Sequence, residues 1–317
     1  MDIKSKKNLV ILLLIIWSAV VFPVKFALIS DPHIELGNKL IQDTERRFSL
    51  STTLLSNAVN QINSDPSLDF VVLTGDIINN GRSWNLDSAQ YILENLNIPY
   101  YVVMGNNDFA TPDQGSGISK FTFQYAFEDN MPNLKNGVWY HKVKDTIIVG
   151  IDNINPVTGS ENWSDRILSQ LEAVFLNYPT ASKIIFTHYP IIDYTFSATS
   201  KRLTSTDDFI ELAKQYNVKL ICSGHYHYKE FSNLDGIISF VSPALVEYPH
   251  EYLTIKLSNT TLAIAGSAVT DGFVLQESET LSQKRIKRLK YIYPDLSESV
   301  LKAKIKGENY YYYEWQN

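Results

Sequence analysis

Phe70-Val71-Val72-Leu73-Thr74-Gly75-Asp76 is an apolar, β-prone run that stops at a glycine and delivers one carboxylate into a loop. Strands buried on both faces read as such continuous runs, and α/β folds place their chemistry just beyond the strand ends. A single strand-Gly-Asp stretch is an ordinary turn signal. Four further stretches repeat the design: Ala27-Leu28-Ile29-Ser30-Asp31-Pro32-His33, Val102-Val103-Met104-Gly105-Asn106-Asn107-Asp108, Ile184-Ile185-Phe186-Thr187-His188 and Leu220-Ile221-Cys222-Ser223-Gly224-His225-Tyr226-His227. Each is an apolar run ending in residue types that bind metals.

The intervening segments alternate between strand and helix. The spacing of Leu50, Leu54, Leu55, Val59 and Ile62 predicts an amphipathic helix over Phe48–Asn63, and Leu86–Leu96 reads as a second one between Phe70–Thr74 and Tyr100–Met104. This βαβαβ opening predicts parallel pairing with helices on the sheet faces. Residues 109–136, rich in Gly, Pro, Asp and aromatics, read as a loop or lid whose Phe121, Phe123, Tyr125 and Phe127 either shape a pocket or cover a core edge. Val138–Lys142 and Thr146–Ile151 read as a hairpin that begins a second sheet. A helix over Ser164–Asn177 leads to the strand Lys183–Phe186. A polar loop over 191–206 and a helix over Asp207–Tyr216 precede the strand Val218–Cys222. Ile237–Val241, His250–Leu257 and Thr261–Gly266 are consecutive strand-like runs, which favours antiparallel pairing in the second half. The tail from Leu281 to Asn317 differs in composition, with the basic run Lys284–Lys290 read as a solvated helix face and an aromatic cluster at Tyr310–Tyr313.

With 317 residues and 20% charged residues the chain has the composition of an ordinary globular protein. Its formal charge of -6 argues against nucleic acid as a partner, since such binding rests on neutralising phosphates. Cys222 is the sole cysteine and lies in an apolar strand, so it reads as a small core residue. Lys4, Lys6 and Lys7 precede an uncharged, apolar run from Asn8 to Val24, the pattern of an export signal or an N-terminal membrane anchor. Spanning a bilayer takes about 20 apolar residues, so the run is barely long enough to anchor, while no small-x-small cleavage site follows it. Both readings stay open at residues 1–24. In either, the folded domain lies outside the cytoplasmic membrane, whether periplasmic, secreted or anchored.

Asp31, His33, Asp76, Asn106, His188, His225 and His227 together offer oxygen and imidazole donors, a mixture suited to Mn, Fe, Zn or Co rather than to an all-oxygen calcium or magnesium cage. Seven candidates exceed the needs of one tetrahedral ion, and a carboxylate can bridge two ions about 3.5 to 4 Å apart. Asp76 is the natural bridge.

The five motifs in order, Asp31-Pro32-His33, Gly75-Asp76, Gly105-Asn106-Asn107-Asp108, His188 and Gly224-His225-Tyr226-His227, resemble those of the calcineurin-like metallophosphoesterase superfamily. The resemblance spans residues 26 to about 257. It implies a four-layer α/β sandwich, two mixed β-sheets face to face with helices outside, in a domain over 25–270 followed by a basic and aromatic extension over 271–317. It implies two divalent or trivalent transition-metal ions, one on Asp31, His33, Asp76 and His227, the other on Asp76, Asn106, His188 and His225. The implied reaction is hydrolysis of a small phosphoester by a metal-bridging hydroxide, with Asn107 and Asp108 as candidate catalytic residues. One position departs from the pattern: the family's usual histidine after the metal-binding asparagine is Asn107 here, which donates a hydrogen bond but cannot transfer a proton at neutral pH. A phosphodiesterase, a phosphomonoesterase and a non-catalytic metal-binding scaffold of the same fold are the readings this leaves, the first preferred because the compact motif set resembles the cyclic-nucleotide and glycerophosphodiester branch.

Overall fold

A computed structural model describes residues 23–36, 45–193, 201–202, 206–292 and 294–315. The expected βαβαβ opening is present: β1 (Val24–Ile29), α1 (Ser51–Asn63), β2 (Phe70–Thr74), α2 (Ser83–Leu93) and β3 (Tyr100–Val103). Strand β2 pairs in parallel with β1 on one side and β3 on the other, and all five of its residues are buried. Helix α1 turns Leu54, Leu55, Ala58, Val59 and Ile62 inward at helical spacing. It starts three residues later than the periodicity suggests, because Phe48–Leu50 winds into a tighter 3₁₀ turn.

The stretch read as a loop or lid over 109–136 is partly helical. Ser119 Oγ accepts the Thr122 N–H at 3.0 Å and caps α3 (Lys120–Ala126). Phe123 and Phe127 are buried with ring centroids 5.0 Å apart, while Phe121 and Tyr125 are exposed. Two of the four aromatics therefore cover the core.

The second sheet begins at the expected hairpin, β4 (Val138–Val143) and β5 (Thr146–Ile151). Helix α4 (Asp165–Asn177), β6 (Ser182–Thr187), a short antiparallel ribbon of β7 (Ile192–Asp193) and β8 (Lys201–Arg202), α5 (Asp207–Gln215) and β9 (Val218–Ser223) follow. Then come β10 (Glu230–Leu234), β11 (Ile237–Val241), β12 (Glu251–Leu257), β13 (Thr261–Ala268), α6 (Gly272–Ile292), α7 (Glu298–Lys306) and β14 (Tyr310–Glu314). One sheet has the order β14-β13-β12-β1-β2-β3 and the other β10-β11-β9-β6-β5-β4. Both are mixed. The consecutive strand runs of the second half do not simply pair in sequence: β11 joins β9 in parallel, whereas β12 crosses to the other sheet and runs antiparallel to β1. Strand β10 has no counterpart in the sequence reading, since Glu230, Ser232 and Asn233 break any apolar alternation.

Alternation along the second sheet shows why its strands read as unbroken apolar runs. Ile148, Ile184, Phe186, Leu220 and Cys222 face the core shared with the first sheet. Ile147, Val149, Ile151, Ile185 and Ile221 face a second core with residues of α4, α5, α6 and α7. Successive side chains point to opposite faces, and here both faces are covered. Phe26 fixes the inter-sheet layer, stacked on Phe70 at 4.9 Å and edge-on to Phe186 at 5.6 Å. Residues 1–22, and with them nearly all of the N-terminal apolar run, lie outside the described residues; among those described, no helix is long and apolar enough to cross a membrane.

Candidate metal centre

The parallel strands β1, β2 and β3 of one sheet and β6 and β9 of the other all end at one place. Asp31 and His33 follow β1, Asp76 follows β2, Asn106 and Asn107 follow β3, His188 follows β6, and His225 and His227 follow β9. Backbone bonds lash the loops together: His33 N–H donates to Asp76 O at 2.9 Å, and Gly224 N–H to His188 O at 3.0 Å. Asp31, His33, Asp76, His225 and His227 hold φ of 49°, 43°, 50°, 68° and 61°, the left-handed region where non-glycine residues are strained. Gly75 is required for closeness, since a Cβ there would lie 2.6 Å from His188 Nδ1 and 2.7 Å from Gly105 N.

Two groups of donors result. Asp31, His33, Asp76 and His227 are all buried, with one ligand atom each within 4.8 Å of one another, and Asp76, His188 and His225 form the second group. Asp76 belongs to both. Asn106 adds an oxygen beside the second group, its Oδ1 3.1 Å from His188 Nε2. The imidazoles are aimed from behind: His188 Nδ1 meets Thr74 O at 2.9 Å and His227 Nδ1 meets Glu247 Oε1 at 2.7 Å, which leaves each Nε2 pointing into the cluster.

The charges agree with a cation site. Burial alone would raise the Asp76 carboxyl, but His188, His33 and the Asn107 N–H outweigh it and hold it well below the usual range. Burial opposes charge on His188, yet Asp76 and Asp31 lift its pKa to about 9. Burial drives His33 the other way, to about 4, and burial and the nearby positive His188 take His225 to about 3. The Nε2 atoms of His33 and His227 face each other at 3.3 Å, and Asp31 Oδ1 lies 3.1 Å from the latter. Two imidazole nitrogens and carboxylate oxygens converging on one dry spot fit a transition-metal ion.

Residues 24–229 match the calcineurin-like phosphoesterase family. The chain belongs to that family. Its members are metal-dependent hydrolases with a binuclear metal centre. A probable cyclic nucleotide phosphodiesterase of Xenorhabdus bovienii is 24% identical over 197 residues, spanning 59% of this chain and 72% of its own. A probable glycerophosphodiester phosphodiesterase of Arcobacter nitrofigilis is 24% identical over 162 residues, spanning 51% of this chain and 55% of its own. In fold, the chain is similar to a dimetal phosphatase from Danio rerio, with a TM-score of 0.63 at 16% identity over 78% of this chain and 97% of that one.

Two positions of this phosphoesterase were expected to be catalytic. Asn107 is half-buried against the shared carboxylate, its N–H donating to Asp76 Oδ1 and its Nδ2 to Asp76 Oδ2, each at 2.7 Å. Asp108 follows it in the chain. It is fully buried, its oxygens accept the N–H groups of Ile78 at 2.9 Å and Gly105 at 2.7 Å, and burial next to Asp76 raises its pKa well above normal. Asp108 thereby clamps the backbone after β2 to that after β3.

Glu247, Arg46 and Arg285 escaped the sequence reading. Glu247 lies between β11 and β12 and touches His227; Arg285 lies in the basic run of α6, where Lys284, Lys287 and Arg288 are solvated as expected but Arg285 turns inward. Neither carried a motif. His141, exposed on β4, and His250, whose Nδ1 meets Leu245 O at 2.9 Å, stand outside both groups of donors.

Proposed function

We propose that this phosphoesterase is an exported phosphodiesterase acting on a small phosphodiester, of the kind represented by cyclic nucleotides and glycerophosphodiesters. The observation that carries the reading is the pair of donor groups sharing Asp76. Asp31, His33, Asp76 and His227 would hold one ion, and Asp76, Asn106, His188 and His225 the other. Two ions bound there supply Lewis acidity to the phosphoryl oxygens and make water acidic enough to serve as a nucleophile near neutral pH.

The chain's own residues set the conditions for this. Thr74 O and Glu247 fix the two histidines so that each offers Nε2. Asn107 rests on Asp76 at the open side of the cluster, where its amide can donate a hydrogen bond to an ester oxygen but no proton. Tyr189 closes the flank, its ring 4.3 Å from that of His225 and its hydroxyl donating to Gly159 O at 2.7 Å.

Phosphodiester specificity is supported by the relatives, two of which carry names for diester cleavage. Export is supported by the lysines and apolar run at the N-terminus. A panel of phosphomonoesters, linear diesters and cyclic diesters, assayed with Mn²⁺, Zn²⁺, Co²⁺ and Fe²⁺, tests the reading. The diesters should have the higher kcat/KM; faster cleavage of monoesters across the panel would replace this proposal with a phosphomonoesterase.

A further inference from the structure

The proposed metal centre is braced from behind by Glu247 and Arg285, which lie beyond the family match ending at 229, together with Arg46 within it. Glu247 is 3% exposed. Its Oε1 accepts from His227 Nδ1 at 2.7 Å and from Arg46 Nε at 3.1 Å, and its Oε2 accepts from Arg285 Nη1. Arg285 also donates to the carbonyl oxygens of Tyr226 at 3.0 Å and His227 at 3.4 Å. The segment carrying Arg46 is itself tied to that carrying Glu247, through a bridge between these two residues and a bond from Arg47 N–H to Val246 O at 2.8 Å.

We infer that Glu247, fixed between Arg285 and Arg46, is a positioning residue that aims His227 Nε2 at Asp31 and His33, so that helix α6 helps to set the metal affinity of this site. The inference rests on the metal-centre reading above. An imidazole bonded through Nδ1–H to a carboxylate has one tautomer and one orientation left, and its Nε2 gains basicity as a ligand. A buried carboxylate must itself be neutralised, and the forked guanidinium of Arg285 does this while reaching a backbone carbonyl with its other nitrogen. That second grip falls on Tyr226, while Nη1 also reaches His227 O, in a stretch where His225 and His227 hold φ of 68° and 61°. The same side chain thus holds both the partner of the imidazole and the strained backbone that carries it.

The test is calorimetric titration of the metal-free full chain with Mn²⁺ and with Zn²⁺, without substrate, alongside thermal melts. Glu247→Gln keeps the shape and an acceptor for Nδ1–H but removes the charge; Arg285→Lys keeps a charge but cannot fork. Both variants should weaken one of the two binding steps by about 10- to 100-fold and leave the other unchanged. Raising the metal concentration should restore the variants' turnover. Wild-type affinity for both steps in both variants would overturn the inference, and a lowered melting temperature with unchanged affinity would overturn it too, since that is a structural role alone. If Glu247→Gln does not fold, Arg285→Lys and Glu247→Asp decide by the same criterion. A wild-type chain that takes up no transition metal would overturn the metal-centre reading together with this inference, which separates that failure from failure of the role of Glu247 alone.

Discussion

Asp76 answers to two histidines and one asparagine at once, with His33 and His188 each 3.5 Å from one of its oxygens and Asn107 bonded to both. Because Asn107 supplies hydrogen bonds and no proton, the wild type should cleave esters with acidic leaving groups fastest. Asn107→His should raise kcat/KM for alkyl esters more than for aryl esters, by up to about 10²-fold. Equal wild-type rates on both ester classes, with chemistry rate-limiting, would mean that another group donates the proton. His188 gives a pH prediction. Its pKa of about 9 in the metal-free site means that at pH 7 it carries a proton, which a metal must displace. Metal affinity should therefore rise with pH and level off above about 9, with net proton release at pH 7. Calorimetry in two buffers of different ionisation enthalpy reads this directly, and a buffer-independent enthalpy would contradict it. The donors brought together here were legible because each follows an apolar strand within a short motif. Glu247 and Arg285 were not, lying 20 and 58 residues from His227 with no local pattern to link them.

Among the elements, those with a continuous apolar run or stripe were legible, and those with polar or interrupted sequence were not. The runs of β2, β5, β6 and β9 are continuous because both faces are covered, and the stripes of α1 and α4 follow helical spacing because one face is. Strand β10 is an outer strand with polar residues, and α3 is a short helix among Gly and Pro, so neither produced a periodic signal. The contact between β3 and β4, at the edges of the two sheets, depends on Trp139. Its Nε1 donates to Val102 O at 2.7 Å, its ring stacks on Tyr101 at 5.6 Å, and it occupies the space that a side chain at Gly150 would need. Trp139→Phe leaves that buried carbonyl unpaired and should cost about 1–3 kcal/mol in urea unfolding. A variant as stable as the wild type would show that the bond carries no net stability.

At the scale of the molecule, the two ends of the chain stand in different relations to the fold. The C-terminal stretch, set apart by its composition, supplies β14 as the outer strand of one sheet, with Tyr311 and Tyr313 packed inward and Tyr310 and Tyr312 exposed. Its alternation was hidden by having tyrosine on both faces. At the N-terminus, β1 begins at Val24, which pairs with Leu257, so deleting residues 1–22 should leave a soluble, metal-binding, active protein. Insoluble product with exposed core would show that the apolar run belongs to the fold, and mass spectrometry of the mature N-terminus separates cleavage from an intact anchor. In the proposed reaction one carboxylate, Asp76, joins two metal sites that hydrolyse a phosphoester. Elemental analysis of the purified protein and of Asp76→Ala, paired with hydrolysis of a diester, tests it most directly. About two transition-metal ions per chain and metal-dependent turnover are expected in the wild type, and neither in the variant. A variant that keeps two ions, or a wild type that hydrolyses no phosphoester with any transition metal, would contradict it.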